Sequence, residues 1–176
     1  MKLKKNKKIF IQSTEYIYRV EHLTLEGTCS KDHGPRNVKI KNLYVDKFPV
    51  TNKEYFNFMK KTGYQPKDPQ RFLAHKPKNN QFYHPVVCVS QIDAMEYAKW
   101  VGGRLPLDEE WQYIAAGPNY YEWPWGDKFN PSYCNHDGNS LRSVNSHKKG
   151  SSWCGCEDMC GNAWEWTSGI HDDGQH

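Results

Sequence analysis

The chain has 176 residues, a formal net charge of +4 and an apolar fraction of 37%, which fits one domain and favours an irregular, loop-rich architecture over a bundle built from Leu and Ile. Aromatic residues make up 14% of the sequence, so aromatic rings must supply much of the core, and buried Trp and Tyr then need hydrogen-bond partners. No segment has the length of a membrane-spanning helix, and no apolar run follows the basic N-terminus as a secretory signal requires.

Residues 1–8 form a basic arm that contains five lysines. An arm of this kind can bind nucleic acid or an acidic membrane surface, but neither arginine nor an aromatic residue accompanies these lysines. We therefore expect a solvated, frayed terminus, with neither nucleic acid nor a membrane as a partner.

Six cysteines occur in the chain, at positions 29, 88, 134, 154, 156 and 160. Their even number, in a sequence without an export signal, favours free thiols in a reducing compartment. The sequence therefore predicts a cytoplasmic protein.

The first predicted elements are strands. Irregular alternation of apolar and polar residues over 9–30 predicts one or two strands, and residues 38–45 predict another. A helix is predicted next, because Thr51 and Glu54 have the spacing of a capping box and Gly63 supplies a stop signal.

The segment after this helix has a different composition. Residues 64–83 lack periodicity and predict a surface excursion, and residues 86–89 then predict a short apolar strand. Ser90 and Asp93 predict the start of a second helix, which Gly102-Gly103 should end.

A third helix is predicted over Asp108 to Ala116, because acidic residues occupy its first turn and Gly117-Pro118 follows its end. Residues 117–158 are rich in Gly, Pro, Asn, Ser and Trp. That composition predicts long loops pinned by buried aromatic rings.

Five separated motifs occur in a fixed order: Pro49-Val50-Thr51-Asn52, His84-Pro85-Val86-Val87-Cys88-Val89-Ser90, Gly102-Gly103-Arg104-Leu105-Pro106 with Glu110-Trp111, Trp123-Pro124-Trp125-Gly126, and Cys160-Gly161-Asn162-Ala163-Trp164-Glu165-Trp166-Thr167. Together they resemble the sulfatase-modifying-factor family, to which formylglycine-generating enzymes belong. The resemblance covers roughly residues 38–168. It implies an α+β, C-type-lectin-like domain over 9–168 with short helices and long loops, followed by a flexible tail at 169–176.

The resemblance also implies that bound calcium holds loops of the domain in place. In a first site, Asn162 and Glu165 would supply side-chain oxygens and Gly161 and Ala163 would supply carbonyls, all hard donors that calcium prefers. The alternative is that Asn162 and Glu165 only accept hydrogen bonds from loop amides.

A second, weaker calcium site is implied at Cys134-Asn135-His136-Asp137-Gly138. Asn135 and Asp137 would supply its oxygens. This segment departs from the family pattern, so the alternative of a loop without metal stays open.

The cysteine-rich segment offers three interpretations. Cys154, Cys156 and Cys160 have enough soft ligands for zinc or an iron–sulfur cluster when Cys134, His136 and His147, which lie nearby in sequence, are included. Their spacing matches no paired C-x₂-C framework. Buried thiols that pack in the core and a redox pair are the alternatives. Copper, iron and zinc are therefore not expected as cofactors.

The resemblance assigns no catalytic residue to this chain. Formylglycine-generating enzymes use a cysteine pair in their C-terminal part to bind copper and activate oxygen, and no residue here matches those positions. Arg104 and Glu110 fall in a motif that the resemblance assigns to the scaffold, where an Arg–carboxylate pair stabilises a loop-rich core.

The sequence therefore predicts a degenerate or truncated domain of this family, a scaffold for a protein or small-molecule ligand, stabilised by calcium. The alternative is an oxidoreductase of the formylglycine-generating or sulfoxide-synthase type, whose catalytic residues come from a partner or a missing segment. A chain that ends at residue 176 would leave a sheet edge exposed, which would favour a homodimer.

Overall fold

The computed structural model describes residues 7–19, 34–78, 80–138 and 140–169. Most of the basic arm and of the predicted tail lies outside these residues, as does Cys29. The described residues form an α+β domain of short strands, short helices and long loops, as predicted. Among them, no helix combines the length and the apolar character needed to cross a membrane.

Four short strands form two antiparallel pairs that follow one another as an interrupted ribbon. They are β1 (Lys8–Ile11), β2 (Thr14–Tyr18), β3 (Arg36–Ile40) and β4 (Leu43–Asp46). β1 pairs with β4 and β2 pairs with β3. The two residue numbers of every facing pair add to 54, so both strand pairs have the same register and it continues across the break between them. At the break, the side-chain oxygen of Asn42 accepts a hydrogen bond from the Ser13 amide at 2.6 Å.

The ribbon differs from the prediction in two ways. The single strand predicted over 38–45 is two strands, because the chain leaves the ladder at residues 41 and 42. The first strand begins at Lys8, within the predicted basic arm, where the Lys8 ammonium pairs with Asp46 at 3.0 Å.

The first helix, α1 (Asn52–Thr62), begins and ends as predicted. The Glu54 amide donates to the Thr51 hydroxyl at 3.3 Å and the Thr51 amide donates to the Glu54 carboxylate at 2.9 Å, which completes the capping box. Gly63 follows with a φ of 73° and donates its amide to the Met59 carbonyl.

The excursion predicted at 64–83 contains a helix, α2 (Pro69–Ala74). Asp68 caps it by accepting from the Arg71 amide at 2.9 Å, and Phe72 is buried. The sequence signal was weak because a six-residue helix is too short for a periodic apolar pattern.

The strand predicted at 86–89 is absent from the described elements. The Val86 amide donates to the Val50 carbonyl at 2.8 Å, and a single bridge joins Thr51 to Pro85. The run ends there because Cys88 adopts a φ of 58°, which is incompatible with extended backbone.

The remaining helices agree with the sequence signals. α3 (Gln91–Trp100) begins at a capping box made by Ser90 and Asp93, and α4 (Asp108–Ala116) ends at Gly117. Beyond α4, the described residues of the long loop region contain only two 3₁₀ turns, at Pro131–Tyr133 and Lys148–Gly150.

Two separate cores hold the domain together. The first lies between the ribbon, α4 and the loop at residues 156–159, and its buried members are Ile11, Tyr16, Ile40, Tyr113, Ile114, Ala115, Cys156 and Met159. The second is aromatic and joins α1, α2 and α3 through Tyr55, Phe58, Phe72 and Tyr97. Aromatic rings thus supply much of the core, as the composition predicted.

Candidate functional site

The segment that carries the last motif lies across the N-terminal ends of α3 and α4. The side-chain amide of Gln91 donates to the carbonyls of Thr167 at 2.8 Å and Gly169 at 2.9 Å. The Ser168 amide donates to the Pro106 carbonyl at 2.8 Å. These bonds fix the backbone on the C-terminal side of the candidate ligands.

The two loops predicted to bind calcium come together in the structure. A parallel bridge joins Asn135 to Gly161, and the Asn162 amide donates to the Asn135 carbonyl at 2.9 Å. The Asn135 side chain donates in turn to the Asn162 side-chain oxygen at 3.1 Å. Asn135 therefore belongs to the same cluster as Asn162, whereas Asp137 lies on the exposed surface.

Gly161 permits this close approach. Its φ is 79°, and a Cβ atom at this position would lie 2.5 Å from the Asn135 carbonyl oxygen. Both observations require glycine, because a side chain would be strained in this backbone conformation and would collide with the facing loop.

The Asn162 side chain ties three loops together. Its oxygen accepts from the Arg142 amide at 2.9 Å as well as from Asn135. Its nitrogen donates to the Arg142 carbonyl at 3.2 Å and to the Asp158 carboxylate at 3.3 Å. The Asn162 side-chain oxygen thus already accepts two hydrogen bonds. This arrangement agrees with the alternative in which Asn162 hydrogen-bonds neighbouring loops.

The Glu165 carboxylate accepts a hydrogen bond from the Trp111 indole at 2.6 Å. Burial raises the pKa of Glu165 to about 7, and the charge of Asp158 contributes in the same direction. The Trp111 hydrogen bond acts in the opposite direction and lowers this pKa. Burial also raises the pKa of Asp158. The structure thus holds two carboxyl groups close enough to interact in a poorly solvated place.

Asp158 is the residue that the sequence analysis missed. It is buried and adopts a φ of 61°. The signal was present, because Asp158 lies three residues before Gly161 in the same tight loop, and ligands of calcium loops are closely spaced in sequence. Asp158 lies outside the last motif, so the motif alone does not indicate it.

These residues suit calcium in their donor chemistry. Asp158 and Glu165 offer carboxylate oxygens, and Gly161 and Ala163 offer backbone carbonyls, which are hard ligands. Within the described part of the chain, no salt bridge neutralises either carboxylate, and no three His, Cys, Asp or Glu side chains converge on one point. Backbone carbonyls would therefore have to complete the coordination.

Four of the five described cysteines form two pairs, and Cys88 belongs to neither. The sulfurs of Cys154 and Cys156 are 3.8 Å apart, and the Cys160 thiol interacts with Cys134. All five cysteines in the described residues are free thiols. The mixed Cys and His cluster required by the zinc and iron–sulfur interpretations does not form among the described residues.

Arg104 and Glu110 form the ion pair expected of a scaffold. Two guanidinium nitrogens of Arg104 bind the two carboxylate oxygens of Glu110 at 2.7 Å each, and the Leu107 amide donates to the same carboxylate at 2.9 Å. Burial opposes ionisation of Glu110, but these hydrogen bonds lower its pKa. The pair fixes the start of α4, and thereby the position of Trp111.

Comparison with known proteins supports the similarity that the motifs indicate. The chain matches the sulfatase-modifying factor enzyme 1-like domain over residues 2–175. It is 30% identical to inactive C-alpha-formylglycine-generating enzyme 2 from Bos taurus, covering 81% of this chain and 66% of that protein. It is also 30% identical to hercynine oxygenase from Mycobacterium tuberculosis, covering 70% of this chain and 37% of that protein.

The structure of PvdO from Pseudomonas aeruginosa superposes with a TM-score of 0.73 at 24% identity, covering 94% of this chain and 71% of that one. The chain spans 37% to 66% of the length of the two curated relatives. Because the family match extends over nearly the whole sequence, the chain belongs to the sulfatase-modifying-factor family, whose fold it shares.

Proposed function

We propose that this chain is a non-catalytic scaffold of the sulfatase-modifying-factor family, stabilised by one calcium ion and able to bind a protein or small-molecule ligand. The observation that carries the proposal is the pair of carboxyl groups of Asp158 and Glu165, since burial raises the pKa of Glu165 and the charge of Asp158 raises it further. Two carboxylates brought together without a neutralising partner disfavour folding unless a cation joins them.

The proposed ligand set combines the Asp158 and Glu165 carboxylates with the carbonyls of Gly161 and Ala163. Asn162 has a different role from the one its sequence position suggests, since its side chain is engaged by Arg142 and Asp158. Asn162 holds the loop in shape, and a calcium ion would neutralise the two carboxylates.

Trp164 gives the proposed scaffold a contact surface. Its side chain is 95% exposed, although it lies between the half-buried Ala163 and Glu165. An exposed indole on an anchored backbone supplies a large contact area at a small cost in conformational entropy. Calcium bound beside it would fix the position of this ring.

Calcium binding is tested by thermal melting of the purified chain with a chelator and with calcium. We expect calcium to raise the melting temperature, because a ligand that binds only the folded state stabilises it. The variants Asp158→Asn and Glu165→Gln should lose this shift, whereas Glu122→Gln, at an exposed carboxylate outside the cluster, should keep it. A wild-type melting curve that does not respond to millimolar calcium would refute the proposal.

An oxidoreductase function is the second candidate, because some similar proteins are formylglycine-generating enzyme from Bos taurus and hercynine oxygenase. Among the described residues, no three His, Cys, Asp or Glu side chains form a cluster that could hold a metal for such chemistry. Oxidation of a Cys-x-Pro-x-Arg peptide with copper and oxygen would establish catalysis. Without product formation under these conditions, the scaffold stands.

A further inference from the structure

Cys154 and Cys156 form a close pair of thiols in a tight turn. Their sulfurs are 3.8 Å apart. The Ser152 amide donates to the Cys156 carbonyl and the Gly155 amide donates to the Ser152 carbonyl, each at 2.8 Å. Gly155, the one residue between the cysteines, has a φ of 95°, a backbone conformation that favours glycine.

The two thiols differ in their access to solvent. Cys156 is only 1% exposed and belongs to the core beneath the ribbon, with its sulfur 3.9 Å from the Asp46 carbonyl. Cys154 is half-buried, and its sulfur lies 3.3 Å from the Ser152 hydroxyl. A reagent from solvent therefore reaches Cys154 first.

The two thiols also differ in acidity. The hydrogen bond between the two sulfurs, with help from Ser152 and against burial, lowers the pKa of Cys154 to about 6. The same hydrogen bond, together with burial, raises the pKa of Cys156. The half-exposed Cys154 is therefore the more acidic of the two thiols and the nucleophile of the pair.

We propose that Cys154 and Cys156 are a redox-active dithiol that reduces small disulfides and closes an intramolecular disulfide between the two residues. Its substrate class is the low-molecular-weight disulfide, such as oxidised glutathione. A disulfide needs a sulfur separation of about 2.05 Å, so the two sulfurs must approach each other by roughly 1.8 Å.

In the first step, the Cys154 thiolate attacks one sulfur of the small disulfide. A bond forms between Cys154 and that sulfur, the disulfide bond of the substrate breaks, and one thiolate leaves and takes a proton from water. The product is a mixed disulfide on Cys154.

In the second step, Cys156 loses its proton and its sulfur attacks the Cys154 sulfur. The mixed disulfide breaks, and the second small thiol leaves with a proton. Two cysteine thiols are thereby oxidised by two electrons and one small disulfide is reduced to two thiols.

Cys160 provides an internal comparison. It is half-buried like Cys154, but it lies outside the turn that holds Cys154 and Cys156 together. The proposal therefore predicts selectivity between two thiols of similar exposure.

The test equilibrates the full chain in glutathione buffers of increasing oxidised fraction. Exchange is then quenched, the chain is unfolded in denaturant so that the buried Cys156 is also accessible, and the remaining thiols are alkylated and located by tandem mass spectrometry of peptides. We expect Cys154 and Cys156 to escape alkylation together as the buffer becomes more oxidising, with Cys160 still alkylated.

Single variants separate the roles of the two thiols. Cys156→Ser should accumulate one glutathione on Cys154, because the mixed disulfide has no thiol to displace it. Cys154→Ser should acquire none on Cys156, and Cys160→Ser should close the disulfide as the wild type does. Circular dichroism of each variant establishes that it is folded.

Complete alkylation of both Cys154 and Cys156 in oxidising buffer would overturn the proposal. So would a glutathione adduct that forms on Cys160 before Cys154 in the wild-type chain. Thiol exchange does not involve calcium or Trp164, so either result leaves the proposed scaffold function untouched.

Discussion

The Trp111 indole nitrogen lies 2.6 Å from the Glu165 carboxylate, although 54 residues separate them in the sequence. α4 carries the tryptophan and the last motif carries the glutamate, so this hydrogen bond joins the core beneath the ribbon to the candidate calcium loop. The geometry of the loop therefore depends on how α4 is positioned, and α4 is held at its start by Arg104 and Glu110.

Replacing Trp111 with Phe should destabilise the domain by about 1–3 kcal/mol, because Glu165 loses its hydrogen-bond donor in a poorly solvated place. The same change should raise the pKa of Glu165 further. Urea unfolding measures the loss. Trp164→Phe is the matched control, since this ring is exposed, and an equal loss in both variants would contradict the assigned role of Trp111.

Replacing Asn162 with Ala should cost about 2–4 kcal/mol, because four hydrogen bonds to neighbouring loops disappear and buried partners are left unsatisfied. Asn162 also adopts a φ of 64°, which asparagine tolerates better than alanine. Thermal and urea unfolding should both detect the change. Asn119→Ala, at an exposed amide, should leave stability within experimental error, and a similarly mild effect at Asn162 would show that its hydrogen bonds contribute little.

Gly161 and Gly63 have similar backbone conformations. Their alanine variants therefore separate the cost of backbone strain from the cost of steric crowding. Gly161→Ala should destabilise the chain more than Gly63→Ala, because a Cβ at Gly161 meets the Asn135 carbonyl oxygen at 2.5 Å, whereas one at Gly63 meets nothing within 4 Å. We expect about 1 kcal/mol at Gly63 from the left-handed conformation alone. Equal losses in denaturant titrations would exclude a close approach of the two loops.

Asp93 should make the free energy of unfolding of the domain depend on pH in the acidic range. Burial alone would raise the pKa of Asp93, but hydrogen bonds from Ser90, Tyr64 and the Lys67 amide outweigh it and lower the pKa. Because the folded-state pKa lies below the unfolded value of about 3.9, this contribution is complete above that pH. It is lost as the pH falls through the folded-state pKa.

The measurement compares the wild type with Asp93→Asn by urea unfolding at pH 7 and pH 3. The difference in unfolding free energy should shrink at pH 3, where protonation weakens the wild-type interactions as well. Asp127→Asn, at an exposed carboxylate, should show no such dependence. A constant difference for Asp93→Asn would mean that its effect comes from packing rather than charge.

Local signals in the sequence predicted the helix boundaries well. Thr51 and Ser90 begin α1 and α3, and Gly63 and Gly117 follow the ends of α1 and α4, as their residue types indicate. These features involve residues three or four positions apart, so the backbone geometry of a single turn decides them. The helix α2 escaped detection because one short turn carries too little pattern.

The sequence by itself determined the family, the aromatic character of the core and the helix caps, because each depends on residue types at short, fixed spacings. Only the tertiary structure decided that Asn135 contacts Asn162, that Asn162 donates to Asp158, and that Cys154 pairs with Cys156 beneath the ribbon. In a loop-rich domain such contacts depend on where long irregular segments pack against the core. No periodic pattern in the sequence indicates those positions.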